Sequence, residues 1–175
     1  MIYYDTYASA LGILTIASDG SNITGLWMEG QQHFALPKDS VLLQGLAVIE
    51  RTKQWLDDYF EGRNPSLSHI PLLPAGTAFQ QQVWQILSGI PYGKTMTYGQ
   101  IASALGNKRM SAQAVGNAVG RNPICILIPC HRVVGASGKL AKNFAFGGAE
   151  GQARKLCAEG VEVVQGRVDP EICGW

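Results

Sequence analysis

The spacing of apolar positions changes period along this chain. Residues Met1–Ala8, Ile13–Ser18 and Ile23–Met28 are short runs rich in β-branched and aromatic side chains, the composition of strands. Gly12 separates the first two, and Asp19-Gly20-Ser21-Asn22 separates the next two as a hairpin signal. Over residues 41–61 the period lengthens. Leu42, Leu46, Ile49, Leu56 and Phe60 recur near helical spacing, leaving Lys53 and Asp57 for a solvated side, and Gly62 follows as a C-cap. Pro65 to Gly76 holds Pro65, Pro71 and Pro74 and loses all periodicity, so it reads as a linker. The lobe boundary is expected there, giving lobes 1–75 and 76–175.

The second lobe opens on a capping box, Thr77-Ala78-Phe79-Gln80. Phe79, Val83, Ile86 and Leu87 line one helix face, and Gly89-Ile90-Pro91-Tyr92-Gly93 ends it. A second box, Thr97-Tyr98-Gly99-Gln100, starts a short helix through Leu105, stopped by Gly106. Ser111 to Val119 is a further helix rich in small residues, ending at Gly120. Two short helices with a tight turn resemble a helix-turn-helix. Ile124–Ile128 is wholly apolar and strand-like, and it delivers Pro129-Cys130-His131-Arg132-Val133-Val134. The predicted class is α/β (α+β): a small sheet with a helix, then a mostly helical lobe.

Composition sharpens this reading. Of 175 residues, 46% are hydrophobic and 15% charged, enough for a packed core and too apolar for wholesale disorder. No apolar run approaches the ~20 residues that span a bilayer, and Met1–Asp5 carries no leader pattern. A cytoplasmic protein with no membrane association is expected. The net charge of +1 conceals an asymmetry. Residues 1–75 hold four bases against eight acids. Residues 76–149 hold Lys94, Lys108, Arg109, Arg121, Arg132, Lys139 and Lys142 and no acid. A long basic stretch without acids predicts a phosphate-rich partner; a merely basic surface is the plainer reading.

Cys125, Cys130, Cys157 and Cys173 include no C-x-x-C pair, so neither a disulfide framework nor a zinc site is expected. Gly93-Lys94-Thr95 fails the phosphate-loop spacing, and no G-x-G-x-x-G occurs. No cofactor is expected. Cys130-His131 is the sharpest chemical feature. An imidazole beside a thiol raises its thiolate fraction, and Pro129 restricts Ile128 to extended backbone and fixes how Cys130 emerges. Taken locally, Cys130 reads equally as a nucleophile or as a buried structural thiol. Tyr98, Asn122 and Glu159 have ordinary readings too, as a half-buried tyrosine, a turn residue and a solvated charge.

Together, several segments resemble the O6-alkylguanine-DNA alkyltransferase family. They are Thr77-Ala78-Phe79-Gln80 with Val83-Trp84, Ile90-Pro91-Tyr92-Gly93 with Thr97-Tyr98, Ala114-Val115-Gly116, Arg121-Asn122-Pro123 and, above all, Ile128-Pro129-Cys130-His131-Arg132-Val133-Val134. The resemblance covers nearly all of residues 2–160. It implies a ribonuclease H-like first lobe and a second lobe with a winged-helix-like helix-turn-helix. It implies that Cys130 accepts the alkyl group, that His131 draws off its proton through a water, and that Glu159, eleven residues beyond Gly148, orients His131. Tyr98 would protonate the leaving guanine, Asn122 would brace the helix-turn-helix, and Arg132 would join the polar network behind Cys130. Ser111, Ala112, Gln113, Lys108, Arg109 and Arg121 would meet the DNA. Val133, Phe144, Ala145 and Phe146 would line the pocket for a flipped base. The implied partner is double-stranded DNA containing alkylated guanine, bound by a monomer that acts once.

Three departures stand out. Gln113 replaces the family's intercalating arginine. The loop between Gly138 and Gly147 is longer than usual, with Phe144 or Phe146 in place of a tyrosine. Arg154-Lys155 falls where an apolar pair is usual, so the last helix is expected to pack differently, and residues 161–175 have no counterpart. Two other readings compete: a non-catalytic or regulatory binder of alkylated DNA, favoured by the altered loop, and a cysteine hydrolase acting on a small acyl substrate.

Overall fold

The computed structural model describes residues 1–106 and 111–169. The chain divides into two compact units, Met1–Ala75 with Pro123–Leu127, and Gly76–Asn122 with the chain from Ile128 onward. The segment 123–127, expected in the second lobe, belongs to the first.

In the first unit β1 (Tyr3–Ser9), β2 (Gly12–Ser18) and β3 (Ile23–Met28) form an antiparallel meander. β4 (Val41–Leu42) runs parallel to β1, giving the order β3-β2-β1-β4. β2 is buried along Leu14–Ser18 because α1 (Ala47–Phe60) covers the sheet with Val48, Ile49, Trp55, Leu56 and Tyr59. The helix starts later than its apolar spacing predicts. Val41 and Leu43 donate to Ile2 O and Tyr4 O as a strand, and Gly45 at φ 78° breaks the chain before α1. Leu42 is consequently exposed. Lys53 and Asp57, expected toward solvent, are used: Lys53 Nζ lies 2.5 Å from the buried Asp5 carboxylate, and Tyr7 Oη donates to Asp57 at 2.7 Å.

The run Ile124–Ile128 is not a strand. Only Ile124 bridges to the sheet, at Leu26. Leu127 N then donates to Cys125 O across Ile126 at φ 73°. That is a γ-turn with a left-handed centre, and it ends the extended run that apolarity alone suggested.

In the second unit both capping boxes form. Thr77 caps α2 (Ala78–Ser88) and Thr97 caps α3 (Tyr98–Ala104), each with reciprocal bonds to the glutamine three residues on. Ser111 caps α4 (Ala112–Gly120) by accepting from Ala114 N. α3 and α4 pack against each other and against α2, and Trp84 Nε1 ties α2 to α4 by donating to Ala118 O at 2.8 Å. β5 (Met96–Thr97) pairs in parallel with β6 (Val133–Val134), which sets the start of α3 beside the Cys130 segment. α5 (Gly148–Ala158) follows. The stretch expected to lack a counterpart folds over its described part into a hairpin, β7 (Val163–Val164) with β8 (Arg167–Val168). Val161 and Val168 pack there with Val134, Leu140 and Leu156.

Candidate active site

The Cys130 turn is built by local backbone chemistry. Pro129 sits at φ −81°, ψ 67°, and Cys130 N donates back to Ile128 O at 2.8 Å. This is an inverse γ-turn centred on proline. A single 3₁₀ turn, Cys130–Arg132, follows and leads into β6. Asn122 Nδ2 donates to Ile128 O at 2.8 Å, closing the neck of the 123–127 excursion. All four residues Asn122, Cys130, His131 and Arg132 are buried.

Behind the turn lies a polar network. His131 is fully buried, with Nε2 2.6 Å from Glu159 Oε1. Arg132 Nε donates to Glu159 Oε2 at 2.9 Å, its Nη2 donates to Oε1 at 3.0 Å, and its Nη1 donates to Ile90 O at 2.7 Å. Its guanidinium also stands 5.7 Å from the centre of the Tyr92 ring. Gly93 N donates to Glu159 Oε2 at 3.3 Å from a left-handed φ of 74°. A side chain there would be strained and would press on Glu159 O. The Ile90–Gly93 turn is thus a fitted wall of the network.

Burial and the bonds within the network together set the protonation of these groups. Desolvation pushes the His131 imidazole down to about 4 against the opposing pull of Glu159, with Lys155 and Arg132 adding to the depression. His131 is neutral at pH 7 and has a base to offer. Burial alone would push the Glu159 carboxyl up. Its bonds to His131 and Arg132 outweigh that and hold it well below the usual carboxylate range; Arg132, always charged, is the countercharge that persists when His131 is neutral. Burial and, behind it, the charge of the Cys130 thiolate push the Tyr98 phenol up, so it keeps its proton. Gly116 of α4 lies against the Tyr98 ring.

The structure therefore brings Cys130, His131, Arg132, Glu159 and Tyr98 together, with Asn122 beneath them. Ser111, Ala112 and Gln113 are exposed on the first turn of α4, and Arg121 is exposed at its other end. Lys108 and Arg109 lie outside the described residues. Val133 is buried in β6. Phe144 and Ala145 are half-buried, whereas Phe146 is buried with its ring 5.5 Å from Lys155 Nζ. Lys155 thus takes a core position on α5 where an apolar residue was usual.

One residue was missed. Gln152 of α5 is fully buried. Its Nε2 donates to His131 O at 3.0 Å and Val133 O at 2.7 Å, and its Oε1 accepts from Ala141 N at 2.7 Å. The available signal was its position two helical turns before Glu159, on the face that also carries Leu156.

Comparison with known proteins adds the following. Residues 2–74 match the family model "6-O-methylguanine DNA methyltransferase, ribonuclease-like domain", and residues 78–161 match the "DNA binding domain" of the same family. The chain is 43% identical over 147 residues to the methylated-DNA–protein-cysteine methyltransferase of Haemophilus influenzae, covering 84% of this chain and 79% of that protein. It is 41% identical over 156 residues to the Mycobacterium tuberculosis protein of that name, covering 89% and 90%. The crystal structure of Mycobacterium tuberculosis OGT in complex with DNA is similar at a TM-score of 0.81 and 39% identity, covering 90% of this chain and 93% of that one. That of Mycobacterium tuberculosis O6-methylguanine methyltransferase is similar at a TM-score of 0.78 and 40% identity, covering 91% and 93%.

Proposed function

The chain belongs to the 6-O-methylguanine DNA methyltransferase family, and on that premise we propose that it repairs DNA by moving the alkyl group of O6-alkylguanine irreversibly onto its own Cys130. O4-alkylthymine is a further substrate in this reading. The observation that carries it is the buried set of Cys130, His131, Arg132 and Glu159 on one 3₁₀ turn and one helix end.

The chemistry follows from the protonation states. Neutral His131 takes the Cys130 thiol proton through a water, and ionised Glu159 stabilises the imidazolium that forms. The sulfur forms a bond to the alkyl carbon as the carbon–O6 bond breaks. The electron pair stays on guanine, which Tyr98 protonates at N3, so the base leaves neutral. The relay's proton returns to the Tyr98 oxygen through solvent. The thioether has no return path, and each molecule reacts once. Asn122 keeps the helix-turn-helix and the Cys130 turn in register.

Duplex DNA is the partner. The exposed start of α4, with Ser111, Ala112 and Gln113, approaches the groove, and Lys108, Arg109 and Arg121 meet phosphates. The target base is flipped into a pocket walled by Val133 and the 144–146 segment. The protein works as a monomer in the cytoplasm. A reducing compartment suits it because the reaction consumes a thiol. Among the described residues, no helix is long and apolar enough to cross a membrane.

Intact-mass measurement after exposure to duplex DNA carrying O6-methylguanine tests the reading. One methyl in place of one hydrogen is expected on the wild type, mapped to Cys130, and none on Cys130→Ser. Binding without an adduct would select the non-catalytic binder. Turnover of an acyl ester without DNA affinity would select the hydrolase.

A further inference from the structure

We propose that Gln152 is a positioning residue: it locks the backbone of the Cys130 turn to the 139–146 loop, and so sets how far that loop reaches over the bound alkyl group. The inference deepens the alkyl-transfer reading and rests on it for its substrate half.

A glutamine amide offers two donors on nitrogen and two lone pairs on oxygen. Here the nitrogen faces two carbonyls, His131 O and Val133 O, and the oxygen faces one N–H, that of Ala141. The partners allow only that orientation. They belong to two segments the mechanism must hold together: the turn that aims Cys130 and His131, and the stem of the loop expected to wall the pocket. Asparagine is too short to span both. Lysine keeps donors and loses the acceptor, and ionised glutamate keeps the acceptor and loses the donors.

α5 thereby grips the turn twice. Glu159 holds the side chains of His131 and Arg132, while Gln152, seven residues earlier, holds the backbone. The loop stem is gripped from its other side by the C-terminal hairpin. Leu140 N donates to Gly166 O at 3.1 Å, and Val168 N donates to Gly138 O at 2.8 Å. Gly138 sits at φ 76°, and a Cβ there would lie 1.9 Å from Val168 O, so that approach admits only glycine. Residues 138–141 are therefore clamped between hairpin and Gln152, and the span free to reach the substrate begins at Lys142. Gly148 N closes that span by donating to Phe144 O at 2.8 Å. The extra length of this loop is thus held to a fixed reach.

Three variants separate the two halves: Gln152→Lys, Gln152→Glu and Gln152→Leu, each checked for folding by thermal melting. Two quantities are read. One is the pH profile of Cys130 alkylation by iodoacetamide, resolved by peptide mass mapping, which needs no DNA. The other is the ratio of transfer rates from O6-benzylguanine and O6-methylguanine in duplex DNA. Gln152→Glu and Gln152→Leu release the turn, so the Cys130 profile should move to higher pH by about half a unit or more. Gln152→Lys keeps the turn and frees the loop, so its profile should stay within a few tenths of wild type while its benzyl-to-methyl ratio changes about threefold or more. A wild-type profile and ratio in folded Gln152→Lys and Gln152→Glu overturns the proposal. So does a loss that merely tracks melting temperature, with profile and ratio unmoved, which would leave Gln152 a folding role alone. If the wild type transfers no alkyl group, the function reading fails, and the thiol profile still decides whether Gln152 holds the turn.

Discussion

Lowering the pH from 7 to 5 isolates the burial of His131. In the folded chain its imidazole titrates at about 4, and in the unfolded chain near its ordinary 6.5. A group whose folded value is depressed binds protons first in the unfolded state, so stability falls as pH falls through the unfolded value. With those two values, linkage gives a loss of about 2 kcal/mol between pH 7 and pH 5, most of it below 6.5. The carboxylates add little in this window. Glu159 is held low by His131 and Arg132, and its ordinary value of 4.5 lies below the window. The assay is urea unfolding at pH 7 and pH 5 for the wild type and for His131→Asn, whose side chain does not titrate. The wild type should lose about 2 kcal/mol and the variant only a few tenths. An equal loss in both proteins would show that the acid sensitivity comes from elsewhere. No loss in the wild type would show that His131 is not held neutral by burial, and the assignment of a free base at neutral pH would fall with it.

Two further outcomes follow from packing and charge. Val168→Ala removes two methyl groups from the small core shared with Val134, Leu140, Leu156 and Val161, and should cost about 2 kcal/mol in urea unfolding; a change near zero would mean the hairpin is not docked. Gln113→Arg adds a cation on the exposed first turn of α4. It should tighten duplex DNA binding and steepen the log–log salt dependence by about one unit. An unchanged salt slope would remove that turn from the DNA interface.

The helical parts of the second unit were the most legible. Thr77 and Thr97 each precede a glutamine by three residues, and both boxes close as the spacing requires. Capping is a local interaction, so local sequence suffices to find it. The misreadings were non-local. Val41–Leu42 carries apolar residues at helical spacing, yet the free edge of β1 recruits it as a strand, because backbone pairing there outweighs periodicity. Ile124–Ile128 reads as a strand until Ile126 enters the left-handed region, which no β-branched residue announces. At the site, Cys130, His131 and Glu159 were legible through resemblance. Gln152 was not, because its partners are three backbone atoms, and backbone acceptors leave no residue pattern.

The electrostatics of the second unit explain why one acid matters so much there. Arg132 and Lys155 are both buried, and an unpaired buried cation is costly. From Asn64 to Ala149 the chain supplies no carboxylate. Glu159, at the end of α5, answers that deficit. It takes two bonds from Arg132 and so remains ionised without needing a charged imidazole. That frees His131 to rest neutral beside it, held so by burial and by the nearby Lys155 and Arg132. When His131 gains a proton, the carboxylate 2.6 Å away is already charged and already oriented, so no reorganisation is required at that moment. Burial is thus the main reason His131 rests neutral, with Lys155 and then Arg132 adding to it, and Arg132 belongs both to the basic stretch and to this buried network.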